Sequence, residues 1–228
     1  MPFPDLANRV RDVRERITAA VERGGHGQSV TVVAVTKTHG PDAVRAAYDA
    51  GLADIGENRM QEALGKMEAV DVPCRWHLIG TLQRNKVKHL NRFHLLQSLD
   101  RPSLADAVQA SGAAQARVVD ALLQVNPAAE ATKGGYAMAD VDAEAARLRS
   151  FDHLRLRGVM VMAPLDAPEG ELRRVFQAAR DARQRLRAAG HTQATELSMG
   201  MSGDYEMAVE EGATCVRLGT VLFGARPA

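Results

Sequence analysis

Aromatic side chains are scarce in this chain: five Phe, three Tyr and one Trp among 228 residues. That argues against the stacking platforms on which proteins lay out single-stranded nucleic acid. An excess of either charge is missing too. Twenty-nine basic side chains stand against 28 acidic ones, a net +1, so there is no electrostatic case for nucleic acid or an anionic membrane as partner. Cysteine is limited to Cys74 and Cys215. They lie far apart in apolar-flanked segments and are expected to be reduced and buried. No apolar run approaches the length of a membrane span, and the first 25 residues lack the apolar centre of a signal peptide. The cytoplasm is therefore the expected location. The seven histidines show no spacing that sets two ligands on one helix face, so no metal site is expected.

What is present is an alternation. Residues 5–23 place Leu6, Val10, Val13, Ile17 and Val21 at helical spacing, and "GGHGQS" ends that helix. Eight short apolar segments follow, at 30–36, 53–57, 75–80, 93–99, 118–125, 154–162, 195–199 and 214–220. Helical patterns separate them. "PDAVRAAYDAG" has Pro41 in its first turn and Gly51 as its stop. A longer helix carries Leu172, Val175, Phe176, Ala179 and Leu186 on one stripe and stops at Gly190. Strands alternating with helices imply a parallel sheet. Eight units in this length fit a closed (β/α)8 TIM barrel, with the first helix as an addition. An open doubly wound sheet is the alternative, and it lacks its glycine-rich first turn. With no linker in the chain, residues 1–228 are read as a single domain.

In such a barrel the chemistry sits at the carboxyl ends of the strands. Lys37 closes the β-branched run "TVVAVTK". Taken alone it fits a lysine snorkelling out of a strand end; in a partly dry pocket it would be a nucleophile towards carbonyls. "LSMGMSGDYEMA" passes through Gly200, Ser202 and Gly203 into a helix, and "VRLGTVLFG" ends the eighth strand at Gly219 and Thr220. Phosphate sites recur in the loops after strands seven and eight. Asp204 must point away from any anion held there. Arg217, inside an apolar strand, needs a partner. The eighth strand neighbours the first, so Arg217 and Lys37 can approach one ligand. An amine, an arginine and an anion loop together suit pyridoxal 5′-phosphate (PLP). Lys37 would hold it as a Schiff base, Arg217 would face the ring nitrogen, and the last two loops would hold the phosphate.

The motifs also carry a resemblance. "VAVTKTHG", "DIGENRMQEALGK", "WHLIGTLQRNKVKHL", "LLQSLD", "LLQVNPAAEATKGGY" and "ELSMGMSGDYEMAVEEGATCVRLGTVLFGAR" occur in order over nearly the whole chain. They resemble the PLP homeostasis protein family of the proline synthase co-transcribed type, related to the barrel domain of alanine racemase. The resemblance implies the Schiff-base role for Lys37, phosphate contacts from Ser202, Gly219 and Thr220, and a ring-nitrogen contact from Arg217. It also implies a pocket position for Asn58. His39 and Gly40 stand where the family commonly has a lysine and a proline, and Arg59 where it has an aromatic; these departures concern the pocket rim.

Three functions fit these features. A PLP carrier serving vitamin B6 homeostasis, with no catalytic residues and with apo PLP-dependent enzymes as recipients, is favoured. The others are an amino-acid racemase and a Schiff-base aldolase acting on a sugar phosphate. A two-base racemase needs a second acid–base group. The related enzyme draws that group from a carboxyl-terminal domain, which is not expected after "FGARPA". Tyr136 is the weak candidate for it here. Lys133 is read as a solvated loop lysine with a second PLP contact as the alternative, His39 as a solvated loop histidine, and the protein as a monomer.

Overall fold

The computed structural model of the chain describes residues 3–128 and 133–224. Residues 129–132 of the fifth-strand motif and 225–226 of the last one lie outside the described residues. Eight parallel strands close into a barrel in sequence order: β1 (Thr31–Val35), β2 (Asp54–Glu57), β3 (Arg75–Leu78), β4 (Leu95–Leu99), β5 (Val119–Val125), β6 (Leu154–Val161), β7 (Glu196–Ser198) and β8 (Cys215–Leu218). Each falls inside one of the apolar segments read from the sequence. The fold is the expected (β/α)8 barrel.

Helix α1 (Leu6–Gly24) precedes the barrel. It buries Leu6, Val10, Val13, Ile17 and Ala20, whereas Val21 is only half-buried. Burying such aliphatic side chains contributes about 1.5–3 kcal/mol each. The helix packs on α7 (Tyr205–Glu210) and α8 (Thr220–Phe223), which lie beside the last two strands. Between the strands run α2 (Pro41–Asp49), α3 (Met60–Ala69), α4 (Pro102–Ala114), α5 (Val141–Leu148) and α6 (Glu169–Ala188). After β3 the connection is the 3-10 segment Arg84–Arg92 rather than an α-helix. Its sequence, "RNKVKHLNR", buries only Leu90, too little apolar surface for an amphipathic helix face.

The side chains divide by strand periodicity. Outward residues such as Ile55, Leu78, Leu123 and Val159 join the main core beneath the helices. Inside the barrel Leu95, Leu122 and Met160 form a separate small cluster, with buried His77, Gln97, Ser198 and Arg217. Gly56 permits this filling: a Cβ there would lie 2.8 Å from Val33 Cγ1. Cys215 is buried as expected, but Cys74 is only half-buried; both thiols are free. Among the described residues, no helix is long and apolar enough to cross a membrane, and no group of three or more His, Cys, Asp or Glu could hold a metal ion.

Candidate functional site

A cavity of about 700 Å³ opens at the carboxyl ends of the strands, with Lys37, Asn58, Ser202, Arg217, Gly219 and Thr220 in its wall. Val35, Ile79 and Met162 supply apolar lining.

Lys37 leaves β1 on a strained turn. Thr38, a β-branched residue, has φ 70°, a conformation that costs on the order of 1–3 kcal/mol unless neighbours enforce it. Two clamps do so. The Thr38 N–H donates to Glu62 Oε1 at 2.7 Å, and the His39 N–H donates to the Thr36 carbonyl at 3.1 Å. Below the turn, Lys66 Nζ donates to the same Thr36 carbonyl at 2.8 Å, to Glu57 Oε1 at 2.6 Å and to Glu62 Oε1 at 2.8 Å. The Thr36 hydroxyl donates to Glu57 Oε1 at 2.5 Å. Burial pushes the Glu57 carboxyl up, against the pull of Lys66 and Thr36. This cluster fixes the backbone from which the Lys37 side chain departs. His39 is not a solvated loop residue: its ring is half-buried and lies 5.5 Å from the Phe3 ring and 5.3 Å from the Phe223 ring.

Beside the end of β1, which pairs with β8, the loops after β7 and β8 meet. Ser202 Oγ accepts the Val221 N–H at 3.2 Å, which joins the two loops and caps the turn begun by Gly219 and Thr220. Asp204 lines the cavity as well. Its Oδ1 accepts the Met201 N–H at 2.6 Å. Burial raises its pKa, with Met201 and Arg217 pulling the other way. Gly203 and Gly219 have no internal reason to be glycine. A Cβ would meet nothing within 4 Å at Gly203, and only ordinary contacts of 3.5 Å or more at Gly219. The space such side chains would fill belongs to the cavity, and backbone there can approach a ligand closely. The start of a helical turn carries partial positive charge, so this wall fits a phosphate group.

Arg217 sits opposite Val33 in the β1–β8 pairing. Its guanidinium is buried and held from behind. Nη1 donates to Ser198 Oγ at 2.7 Å and Nη2 to the Val161 carbonyl at 2.9 Å. Burial lowers its pKa, but arginine starts so high that it keeps its charge at neutral pH. Amine, guanidinium and phosphate-ready loops therefore face one space, which fits a phosphorylated aldehyde with a basic ring.

Two neighbouring residues, Lys133 and Tyr136, differ from expectation. Lys133 is half-buried, lines the cavity and donates from Nζ to the Ala163 carbonyl at 2.9 Å; it is not a solvated loop lysine. Gln124, also in the wall, holds the returning loop through the Gly134 carbonyl at 2.6 Å. Tyr136 is buried away from the cavity and donates to Glu144 Oε1 at 2.6 Å. Burial and Glu144 together push its phenol far up, so it cannot serve as the opposing base.

Sequence reasoning missed the polar groups behind the wall: Glu57, Lys66, Asp54, His77, Gln97 and Ser198. For Asp54, Glu57, Gln97 and Ser198 a signal was available, since a polar residue in a buried strand needs a partner; for His77 and Lys66 the sequence does not tell which face they take.

Residues 10–227 match the family model for the alanine racemase N-terminal domain. The pyridoxal phosphate homeostasis proteins of Aquifex aeolicus and Pseudomonas aeruginosa are each 41% identical, over 97% of this chain and 99% and 96% of their own lengths. Among solved structures, PipY of Synechococcus elongatus PCC7942 with PLP bound has a TM-score of 0.84 at 36% identity, covering 96% of this chain and all of that one. Alanine racemase of Corynebacterium glutamicum shares the fold alone, with a TM-score of 0.75 at 15% identity, and this chain spans 62% of it. The chain belongs to the pyridoxal phosphate homeostasis protein family, built on the alanine racemase N-terminal domain.

Proposed function

We propose that this protein binds PLP at the mouth of the barrel and serves its intracellular homeostasis and delivery without catalysing turnover of amino acids. The observation that carries the reading is the convergence of Lys37, Arg217 and the Ser202–Gly219–Thr220 wall on one cavity. The name of the relatives and the PLP-bound state of PipY support it. When bound, PLP supplies an aldehyde that a lysine amine attaches covalently and a ring that withdraws electrons. Lys37 is the attaching amine. Ser202, Gly219 and Thr220 hold the phosphate, and Asn58 borders the ring.

Arg217 supports the non-catalytic part. A guanidinium against the ring nitrogen disfavours its protonation, which weakens the ring as an electron sink. Racemisation further requires a proton donor on the face opposite the lysine. None of the three tyrosines lines the cavity. Two measurements test the reading. Apo protein titrated with PLP should develop the absorption of a lysine-bound species at one equivalent; no such band would defeat PLP binding. PLP-loaded protein should exchange the α-protons of L-alanine with deuterated solvent far more slowly than about 1 per second. Exchange at that rate, abolished by Lys37→Ala, would establish the racemase instead.

A further inference from the structure

An unbroken chain of buried side chains runs through the barrel interior from the cavity wall to the opposite face. Arg217 Nη1 donates to Ser198 Oγ at 2.7 Å. The Ser198 hydroxyl donates to Gln97 Oε1 at 2.6 Å. Gln97 Nε2 stands 3.0 Å from His77 Nδ1, and His77 Nε2 stands 2.9 Å from Asp54 Oδ1. Asp54 is then gripped at both oxygens by Arg75, at 2.7 and 2.5 Å. All five residues from Arg217 to Asp54 are buried; Ser198 and Gln97 are 0% exposed. Asp54 and Arg75 border a second cavity at the amino-terminal face, so the chain joins the two ends of the barrel.

Donor inventory fixes the direction. Arginine has no acceptor and a carboxylate has no proton to give. Ser198 must therefore accept at Arg217 and is left to donate to Gln97. The Gln97 amide, with its oxygen so used, turns its N–H₂ to His77 Nδ1, which must be the bare nitrogen. His77 then carries its proton on Nε2 and donates it to Asp54. Every bond dipole points the same way, with its negative end towards the guanidinium and its positive end towards the carboxylate. Aligned dipoles between opposite charges in a dry interior reinforce one another. A second proton on His77 would reverse Gln97 and set two donors on Ser198 Oγ. The groups facing the imidazole are Asp54 with Arg75 beyond it, Glu196, and the His94 ring 5.5 Å away.

We propose that Ser198, Gln97, His77 and Asp54 are positioning residues that aim the Arg217 guanidinium at the ring nitrogen of the ligand, with the Nε2–H tautomer of His77 setting the direction of the relay. The proposal rests on the PLP reading above, and it adds four residues that touch no ligand. Asp54 is its anchor because an asparagine there can present N–H to Nε2. That would select the opposite tautomer, as wrong-tautomer substitutions do in other His–Asp pairs, and reverse the His77–Gln97 and Gln97–Ser198 bonds, leaving two donors on Ser198 Oγ.

The tautomer is read without any variant. In ¹⁵N-histidine-labelled protein, long-range ¹H–¹⁵N correlation should show the His77 proton on Nε2 and Nδ1 bare; a proton on Nδ1 would overturn the relay. The positioning role is read by comparing PLP with 1-deaza-PLP, which has C–H in place of the ring nitrogen. The native protein should prefer PLP by about tenfold or more, the scale of one hydrogen bond to a charged group. Asp54→Asn and Ser198→Ala should cut that preference to about twofold while leaving the affinity for the deaza compound nearly unchanged. Ser198→Thr, which keeps the hydroxyl, should restore it. Variants that weaken both ligands equally, or keep the full preference, would overturn the positioning role. A native protein that binds both compounds equally would instead remove Arg217 from the ring nitrogen and the reading beneath.

Discussion

Lys66 Nζ and Glu57 Oε1 form an ion pair of 2.6 Å with both side chains shut away from water, at 5% and 0% exposure. The same ammonium holds the Thr36 carbonyl, one residue before Lys37. The pair therefore fixes the backbone next to Lys37 from outside the barrel wall. Glu57 Oε2 is buried without a hydrogen-bond partner among the described residues, so this carboxylate depends on Lys66 for its charge. Lys66→Met should destabilise the protein by about 3–5 kcal/mol in urea unfolding, the cost of leaving one member of a buried pair alone. Adding Glu57→Gln should recover part of that loss. Strict additivity of the two changes would mean that they do not interact.

Ser202 and Thr220 should separate in their effects. Each alanine substitution should weaken PLP by about 1–3 kcal/mol, the range for hydrogen bonds to a charged group, and pyridoxal without phosphate should respond far less. Ser202 also accepts the Val221 N–H, so Ser202→Ala should lower the melting temperature. Thr220 is exposed, and Thr220→Ala should not. Calorimetric titration with both vitamers, beside thermal melts, checks this; equal losses for PLP and pyridoxal would assign the hydroxyls to the fold.

Asp204 places a carboxylate in the wall proposed to hold the phosphate. Asp204→Asn keeps an oxygen for the Met201 N–H and removes the charge. PLP should bind more tightly by about 1 kcal/mol, the scale of one charge pair about 4 Å apart in a water-like dielectric. Weaker binding in the same titration would show that Asp204 contributes to the phosphate site.

Much of this site was legible in the sequence because its parts stand at strand ends. A barrel of alternating segments puts every strand end on one face, so Lys37, Arg217, Gly219 and Thr220 could be brought together without coordinates. What lay beyond reach depended on facing and on distant pairs. His77 and His94 both fall in or beside strands, yet only His77 turns to Gln97 and Asp54. That choice is set by the β2–β3 and β3–β4 registers, which no local pattern reports. Lys66 reads as a helix-surface lysine in "QEALGKME" until α3 is laid against the end of β2. Tyr136 looked available because the loop around it has no periodicity; its partner Glu144 becomes visible only once α5 is packed.

Acid should reach the relay at its anchor. Burial pushes the Asp54 carboxyl up, but His77 and Arg75 more than offset it and hold the group at about 2, below its ordinary 3.8. A depressed carboxyl stabilises the fold above its unfolded value, and that stability is lost as pH falls through the folded one. About 2 kcal/mol should therefore disappear between roughly pH 4 and pH 2, and Asp54→Asn should flatten that limb of the stability curve. An unchanged acid limb in the variant would place the loss on other carboxylates.

Whether Lys37 is the residue that holds PLP is read by borohydride reduction of the PLP-loaded protein followed by peptide mass mapping. The expected result is a single phosphopyridoxyl group on the peptide containing Lys37, absent from a folded Lys37→Ala variant. A label on Lys133, or on no lysine at all, would show that Lys37 does not hold PLP.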